Sequence, residues 1–222
     1  MIAGAQWSRL YALRQEIRKT YPTIWDVPLV KKELDRLLPN IREGCRILEV
    51  GAGDRRFERK LKGRLHWVTY RSCDVDTETM QDYYSVEEIT EEFDFIFMFE
   101  LIEHLSPEEG LALLRRLWEI LRPGGCLLLG TPNLYHPHRY FGDITHKTPY
   151  KYEELGAVML MAGFTNLRAY RMYNDAALRR WLRIRLGVVL HRYLDVDFAP
   201  TLLMEGEKPP AGPSCTESDG RS

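Results

Sequence analysis

The sequence predicts a three-layer α/β domain built on a mostly parallel sheet. Two observations carry that prediction. Strand-length apolar runs alternate with segments of helical period, and one of them, Phe93 to Glu100 (FDFIFMFE), is apolar enough for the centre of a parallel sheet. A second run, Ile47 to Val50, passes directly into Gly51-Ala52-Gly53, with an acidic residue, Glu49, two places before the first glycine. A glycine turn at the carboxyl end of a buried strand leaves room for a ligand to lie over the backbone and against the next helix N-terminus.

The elements follow in order. Trp7, Leu10, Leu13 and Ile17 recur at helical spacing, so Gln6 to Leu38 reads as helical, with Lys31 to Leu38 as a second helix ended by Pro39-Asn40. Arg46–Val50 is the first strand, Arg55 to Lys62 a helix, and His66 to Val75 the second strand, ending in Asp74 and Asp76. Only about sixteen residues separate Asp76 from Phe93, barely a minimal crossover, so the helix or strand expected there is reduced. Pro107 to Leu121 carries Leu111, Leu114, Leu117 and Leu121 on one stripe and stops at Pro123-Gly124-Gly125. Cys126 to Gly130 is the next strand, Tyr152 to Met161 a helix closed by Gly163, Leu167 to Met172 a strand, and Pro200 to Glu205 the last one.

Residues 1–206 are therefore expected to form a single domain. It has a helical extension (1–44), an inserted loop (134–151), an inserted basic amphipathic helix (174–196) and a disordered Pro/Gly/Ser-rich tail (207–222). Of 222 residues, 45% are hydrophobic, and 31 basic against 32 acidic side chains leave a formal charge of -1. That balance gives no global field for nucleic acid. Cys45, Cys73, Cys126 and Cys215 lack metal or disulfide spacing and read as reduced thiols. The first residues hold no apolar run of signal-peptide type, and no stretch reaches the roughly 18 apolar residues of a membrane span. The expected location is cytoplasmic, with peripheral membrane contact through the inserted helix as an addition.

A lone GxG after a strand fits several nucleotide-like ligands, and a dinucleotide site also wants a third glycine, where this chain has Arg56. The order of LEVGAGD, CDVD, FDFIFMFELIEHL, LRPGGCLLLGTPN and a helix ending AGF resembles the class I S-adenosylmethionine-dependent methyltransferases, over about Arg46 to Tyr173. The resemblance implies a Rossmann-like fold, mostly parallel with a last antiparallel strand, here reduced between strands two and four by the short spacing, and it implies S-adenosylmethionine as cofactor. It places Gly51 and Gly53 against the methionine moiety and ribose, Glu49 at the loop and amino group, Asp74 on the ribose hydroxyls, and Phe99 and Glu100 beside the methyl donor. Asp82, Tyr83 and Ser85 are the candidates for adenine.

On the acceptor side, Glu100-Leu101-Ile102-Glu103-His104 leaves the central strand at its carboxyl end. Glu100, Glu103, His104 and the later His146 offer oxygen and nitrogen donors that suit Mg²⁺, Mn²⁺ or Zn²⁺. The ExxEH run resembles that of the ubiquinone-pathway O-methyltransferases and of the small-RNA 3′-end 2′-O-methyltransferases, both metal-using. Without metal, His104 or His146 is the expected general base, with Asp143 orienting His146. His136 and His138 read as loop surface. Tyr135, Tyr140, Phe141 and Tyr150 make the inserted loop aromatic, as a substrate lid would be. TPNLYHPHRYFGDITHKTPY also resembles bacterial methyltransferases of polysaccharide assembly, which carry a D-x-T-H-x-x-P element. The expected acceptor is thus a sugar or glycan hydroxyl. A quinone or phenol, an RNA ribose, and a non-catalytic scaffold are the competing readings. The helix Ala176 to Tyr193 joins an apolar stripe to Arg179, Arg180, Arg183 and Arg192, a pattern that suits a membrane surface, its own domain or a second subunit.

Overall fold

The computed structural model describes residues 4–62 and 67–211. Seven strands form one sheet, ordered β1-β6-β7-β5-β4-β2-β3. They are β1 (Leu29–Val30), β2 (Arg46–Val50), β3 (Thr69–Cys73), β4 (Phe93–Phe99), β5 (Leu121–Pro132), β6 (Thr165–Met172) and β7 (Thr201–Glu207). Only β7 runs antiparallel, to both β5 and β6; every other pairing is parallel. The last strand is therefore the antiparallel one, as the sequence led us to expect.

Strand alternation sorts the core into two layers. Leu48, Val50, Ile96, Met98, Leu127 and Leu129 point to one face. There they meet α1 (Gly4–Thr20), α4 (Pro107–Ile120) and α5 (Tyr152–Ala162) through Leu10, Ile17, Leu114, Leu117, Leu155 and Met159. Ile47, Phe95, Phe97 and Leu128 point to the other, against α2 (Leu34–Leu37) and α3 (Arg56–Lys62), where Leu37, Phe57 and Leu61 close the layer. The α4 start is fixed by a capping box in which Ser106 and Glu109 bond reciprocally. Gly163, at φ 108°, ends α5 in the left-handed conformation that glycine adopts without cost.

Several boundaries differ from the sequence reading. The N-terminal helix stops at Thr20, because Pro22 and Pro28 cannot continue it, and the chain instead makes the two-residue edge strand β1 along β6. The second strand ends at Cys73, which leaves Asp74 to Asp76 in the loop; His66 lies outside the described residues. The crossover from Asp76 to Phe93 is reduced as expected, to a one-residue bridge between Cys73 and Tyr83 and a 3₁₀ turn at Val86–Glu88. The last strand runs to Glu207, and Lys208 still exchanges backbone bonds with Gly124 and Gly125. The ordered chain therefore continues into the expected tail, whose residues 212–222, with Cys215, lie outside the description. Among the described residues no helix is long and apolar enough to cross a membrane.

Candidate functional site

The glycine turn sits where β2 ends. Gly51 (φ 73°) and Gly53 (φ 46°) both take left-handed backbone, and the Gly51 amide donates to the Cys73 carbonyl at 2.9 Å. A Cβ on Gly51 would lie 2.5 Å from Leu101 Cδ1, so a side chain there would strain the left-handed backbone and force Leu101 to move. Asp74 braces the turn. Its Oδ2 accepts from Gly53 N at 2.7 Å and its Oδ1 from Asp76 N at 2.9 Å.

A cavity of about 480 Å³ opens on one side of the turn. Gly51, Asp74 and Val75 form one wall, Ser85 and Val86 a second, and Leu101, His104 and Leu113 a third. On the other side a smaller cavity of about 150 Å³ is bounded by Glu49, Gly53, Arg56 and Phe99. The expected cofactor residues Glu49, Gly51, Gly53, Asp74 and Phe99 thus surround one backbone turn from two sides. Of the adenine candidates, only Ser85 lines the larger cavity. Asp82 is engaged with Ser72 N at 2.9 Å and with Arg55, and Tyr83 pairs along Cys73 and bonds Glu91.

Glu49 is buried, at 4% exposure, and Tyr70 on β3 donates its hydroxyl to Oε2. Burial pushes the Glu49 carboxyl up to about 7, against the opposing effect of Tyr70. Tyr70 was not foreseen, since its role depends on the parallel register that sets Ile47 opposite Tyr70.

The second cluster lies just past β4. A left-handed backbone at Glu100 (φ 53°) turns the chain sharply off the strand, and a 3₁₀ turn at Ile102–His104 follows. The Glu103 backbone carbonyl accepts from Lys147 N at 2.8 Å and Thr148 N at 3.0 Å, which straps the end of the inserted loop onto this turn. His104 and His146 are thereby brought ring to ring, 4.8 Å between centroids.

Hydrogen bonding fixes how these groups present themselves. His146 Nδ1 lies 2.7 Å from the Tyr140 carbonyl, which can only accept, so the proton sits on Nδ1. Thr145 Oγ1 donates its single proton to Asp143 Oδ1 at 2.6 Å and therefore accepts from His104 Nδ1 at 2.9 Å. Asp143 stays ionised for this, its carboxyl held below the usual range by Thr145. In the neutral tautomer that these bonds select, each imidazole carries its lone pair on Nε2. Glu103 adds a third: Thr131 donates to Oε2 at 3.0 Å, while Oε1 is buried with no partner, 3.9 Å from His146 Nε2. Burial, more than any neighbour, raises the Glu103 carboxyl to about 7.

Two expectations about this cluster change. Asp143 was expected to orient His146; its Oδ2 does lie 3.9 Å from His146 Nε2, but its hydrogen bonds go to Thr145, which meets His104 Nδ1, while the Tyr140 carbonyl holds His146 Nδ1. Glu100 was expected among the metal donors; it pairs instead with Arg139 at 2.9 Å, and the donors that converge, within 4.8 Å of one another, are those of Glu103, His104 and His146. His138 is exposed as expected, whereas His136 is half-buried, and burial lowers its pKa.

The family model described as "Methyltransferase domain" matches residues 24–185, most of the chain. The chain belongs to that family. This methyltransferase domain has the class I S-adenosylmethionine-dependent fold. An Archaeoglobus fulgidus SAM-dependent methyltransferase superposes with a TM-score of 0.66 at 16% identity, over 79% of this chain and 91% of that one. A Haemonchus contortus phosphoethanolamine N-methyltransferase 2, solved with S-adenosyl-L-methionine, gives 0.56 at 16% identity, over 79% of this chain and 52% of the other. In sequence, the carboxy-S-adenosyl-L-methionine synthase of Vibrio parahaemolyticus is 34% identical over 88 residues, which are 40% of this chain and 34% of that protein. The matched segment thus spans about a third of that curated relative.

Proposed function

We propose that this methyltransferase domain moves a methyl group from S-adenosylmethionine to a hydroxyl oxygen of a sugar or glycan, and that Glu103, His104 and His146 take the hydroxyl proton. When bound, the cofactor supplies an electrophilic methyl group. The residues present fit it: the left-handed turn at Gly51 and Gly53 keeps side chains off the backbone, Asp74 stands at the strand end, and the turn separates a larger cavity from a smaller one beside Glu49. The observation that carries the acceptor chemistry is the convergence of three unshared lone pairs, two Nε2 atoms and the orphaned Glu103 Oε1, next to that cavity. With its proton fixed on Nδ1 by Thr145, His104 holds Nε2 ready as a base. Tyr140 and Phe141 on the inserted loop supply aromatic faces suited to sugar rings, and Phe141 is 77% exposed.

The same three donors fit a divalent cation, and two imidazoles with one carboxylate suit Mn²⁺ or Zn²⁺ better than Mg²⁺. Such an ion would ease loss of the hydroxyl proton. Elemental analysis of protein purified without chelator separates the two forms of the reaction. One bound ion per chain, lost together with activity on chelation, assigns the donors to the metal; a metal-free enzyme with full activity leaves them as a proton-accepting cluster. Acceptor profiling with a labelled methyl donor across oligosaccharides, phenols and small RNAs tests the substrate class. Label is expected in the oligosaccharides, and label confined to phenols or RNA overturns the reading.

Glu49 gives the cofactor step a pH dependence. Its carboxyl is protonated below about 7 in the free protein. A methionine ammonium beside it favours the ionised form, so binding releases a proton below that pH. Affinity for S-adenosylmethionine is expected to rise with pH by up to about tenfold per unit and to level off above about 7. Calorimetry in two buffers of different ionisation enthalpy reads the released proton directly. Tyr70→Phe removes the donor that favours the carboxylate and is expected to move the curve toward higher pH; an affinity flat between pH 5.5 and 7.5 (a span of about two units) would remove Glu49 from this role.

A further inference from the structure

The helical segment before β7 is turned inside out relative to an ordinary surface helix. It comprises α6 (Ala177–Leu182), a π turn (Arg183–Gly187) and α7 (Val188–Tyr193). Three of its polar side chains, Arg180, Arg183 and His191, face the domain. Arg180 Nη1 donates to the Tyr173 hydroxyl at 3.0 Å, Arg183 Nη1 donates to Asp175 at 2.7 Å while its guanidinium lies over the Phe198 ring, and His191 packs on the same ring. Its apolar side chains face out: Leu178 (71% exposed), Trp181 (54%), Leu186 (66%), Val189 (73%), Leu190 (58%) and Tyr193 (84%). Packing against its own domain therefore does not explain the stripe.

The π turn keeps that stripe continuous. It holds one residue more than an α turn. At about 100° per residue, the extra position brings Leu186, Val189, Leu190 and Tyr193 back over Leu178 and Trp181. An unbroken α-helix would spread the same residues around roughly half of its circumference.

We infer that this face, Leu178 to Tyr193, docks on the surface of an anionic lipid bilayer. Charge selects that occupant. Arg185 and Arg192 are exposed along the stripe, Arg179 stands exposed at its head, 3.9 Å from Asp175, and no carboxylate occurs between Ala176 and Leu194. A two-fold contact with a second copy would set Arg185 and Arg192 against basic equivalents with no acid within the stripe to answer them. Phospholipid headgroups supply the missing negative charge, the acyl boundary takes the leucines, and Trp181 and Tyr193 have the amphipathic rings that settle at the interface. The segment is also anchored at the root of the acceptor loop, through Asp197 N to the Tyr135 carbonyl at 2.9 Å and Asn133 Nδ2 to Asp197 at 2.9 Å. That loop exposes two more large apolar residues, Phe141 and Ile144. The inference stands on this surface alone and does not depend on methyl transfer.

Vesicle co-sedimentation tests it, with phosphatidylcholine alone and with phosphatidylcholine plus phosphatidylglycerol. The full chain is expected to sediment with the anionic vesicles and much less with the neutral ones. Arg179→Gln/Arg185→Gln/Arg192→Gln is expected to cut anionic binding by about 100-fold. Leu186→Ser/Leu190→Ser should abolish it, and since both leucines are exposed, circular dichroism should show an unchanged fold. No sedimentation of wild type, or equal sedimentation of wild type and both variants, overturns the inference. So does a dimer in sedimentation velocity that Leu186→Ser/Leu190→Ser dissolves without any vesicle binding, which would give the face to a second copy.

Discussion

Glu103→Gln is expected to lower kcat by about 10²- to 10⁴-fold with little change in affinity for S-adenosylmethionine. The substitution keeps the shape of the side chain and the bond from Thr131, and it leaves the cofactor cavity untouched, since Glu103 does not line it. What it removes is the buried, unpartnered Oε1 beside His146 Nε2. A carboxylate there either accepts the proton through the imidazoles or holds the cation, and both fail with an amide. His104→Asn should fall in the same range. Thr145→Val acts one bond further out: it leaves the His104 ring in place and removes the acceptor that holds the proton on Nδ1. Its expected loss is smaller, about 10- to 100-fold, with a displaced pH–rate profile that a packing defect would not produce. Steady-state kinetics paired with calorimetry separates these effects. Full activity of Glu103→Gln would show that the cluster does no chemistry.

The second large effect belongs to the cofactor turn. Gly51→Ala is expected to weaken S-adenosylmethionine binding by at least about tenfold and to cost roughly 1–3 kcal/mol of stability. Two penalties combine, because φ 73° strains any L side chain and the new Cβ would overlap Leu101 at 2.5 Å. Gly53→Ala is the internal comparison: it carries the backbone strain at φ 46° but meets nothing within 4 Å. It should therefore be the milder of the two in thermal unfolding. Equal losses would mean that backbone conformation, rather than the approach of Leu101, sets the requirement for glycine at position 51.

How much of the fold is legible in the sequence follows from how local each signal is. The apolar runs at Ile47–Val50 and Phe93–Phe99 announce central strands because both faces of a parallel sheet are covered, and the glycine turn is written in three consecutive residues. The edge strand Leu29–Val30 carries no such signal. Two residues have no period, and only pairing with β6 makes them a strand. Tyr70 at Glu49, Thr145 at His104 and Arg139 at Glu100 are separated from their partners by 21, 41 and 39 positions, and no spacing rule connects them. Asp143 stands 3.9 Å from His146 Nε2, as its spacing suggested, but its hydrogen bonds to Thr145, which carry it on to His104, could not be read from the sequence. The basic helix shows the same limit differently. Its stripe is plain in the sequence, yet which face looks outward is decided by Asp175, Tyr173 and Phe198, which lie outside the helix.

The most direct test of the central claim uses S-adenosylmethionine carrying an isotopically labelled methyl group, an oligosaccharide acceptor, and wild type beside Glu103→Gln. Magnetic resonance of the product identifies the atom that receives the label. The expected result is an O-methyl resonance on a sugar ring with wild type and its loss with Glu103→Gln. Label on nitrogen or carbon, or an O-methyl product formed equally fast by the variant, would contradict it.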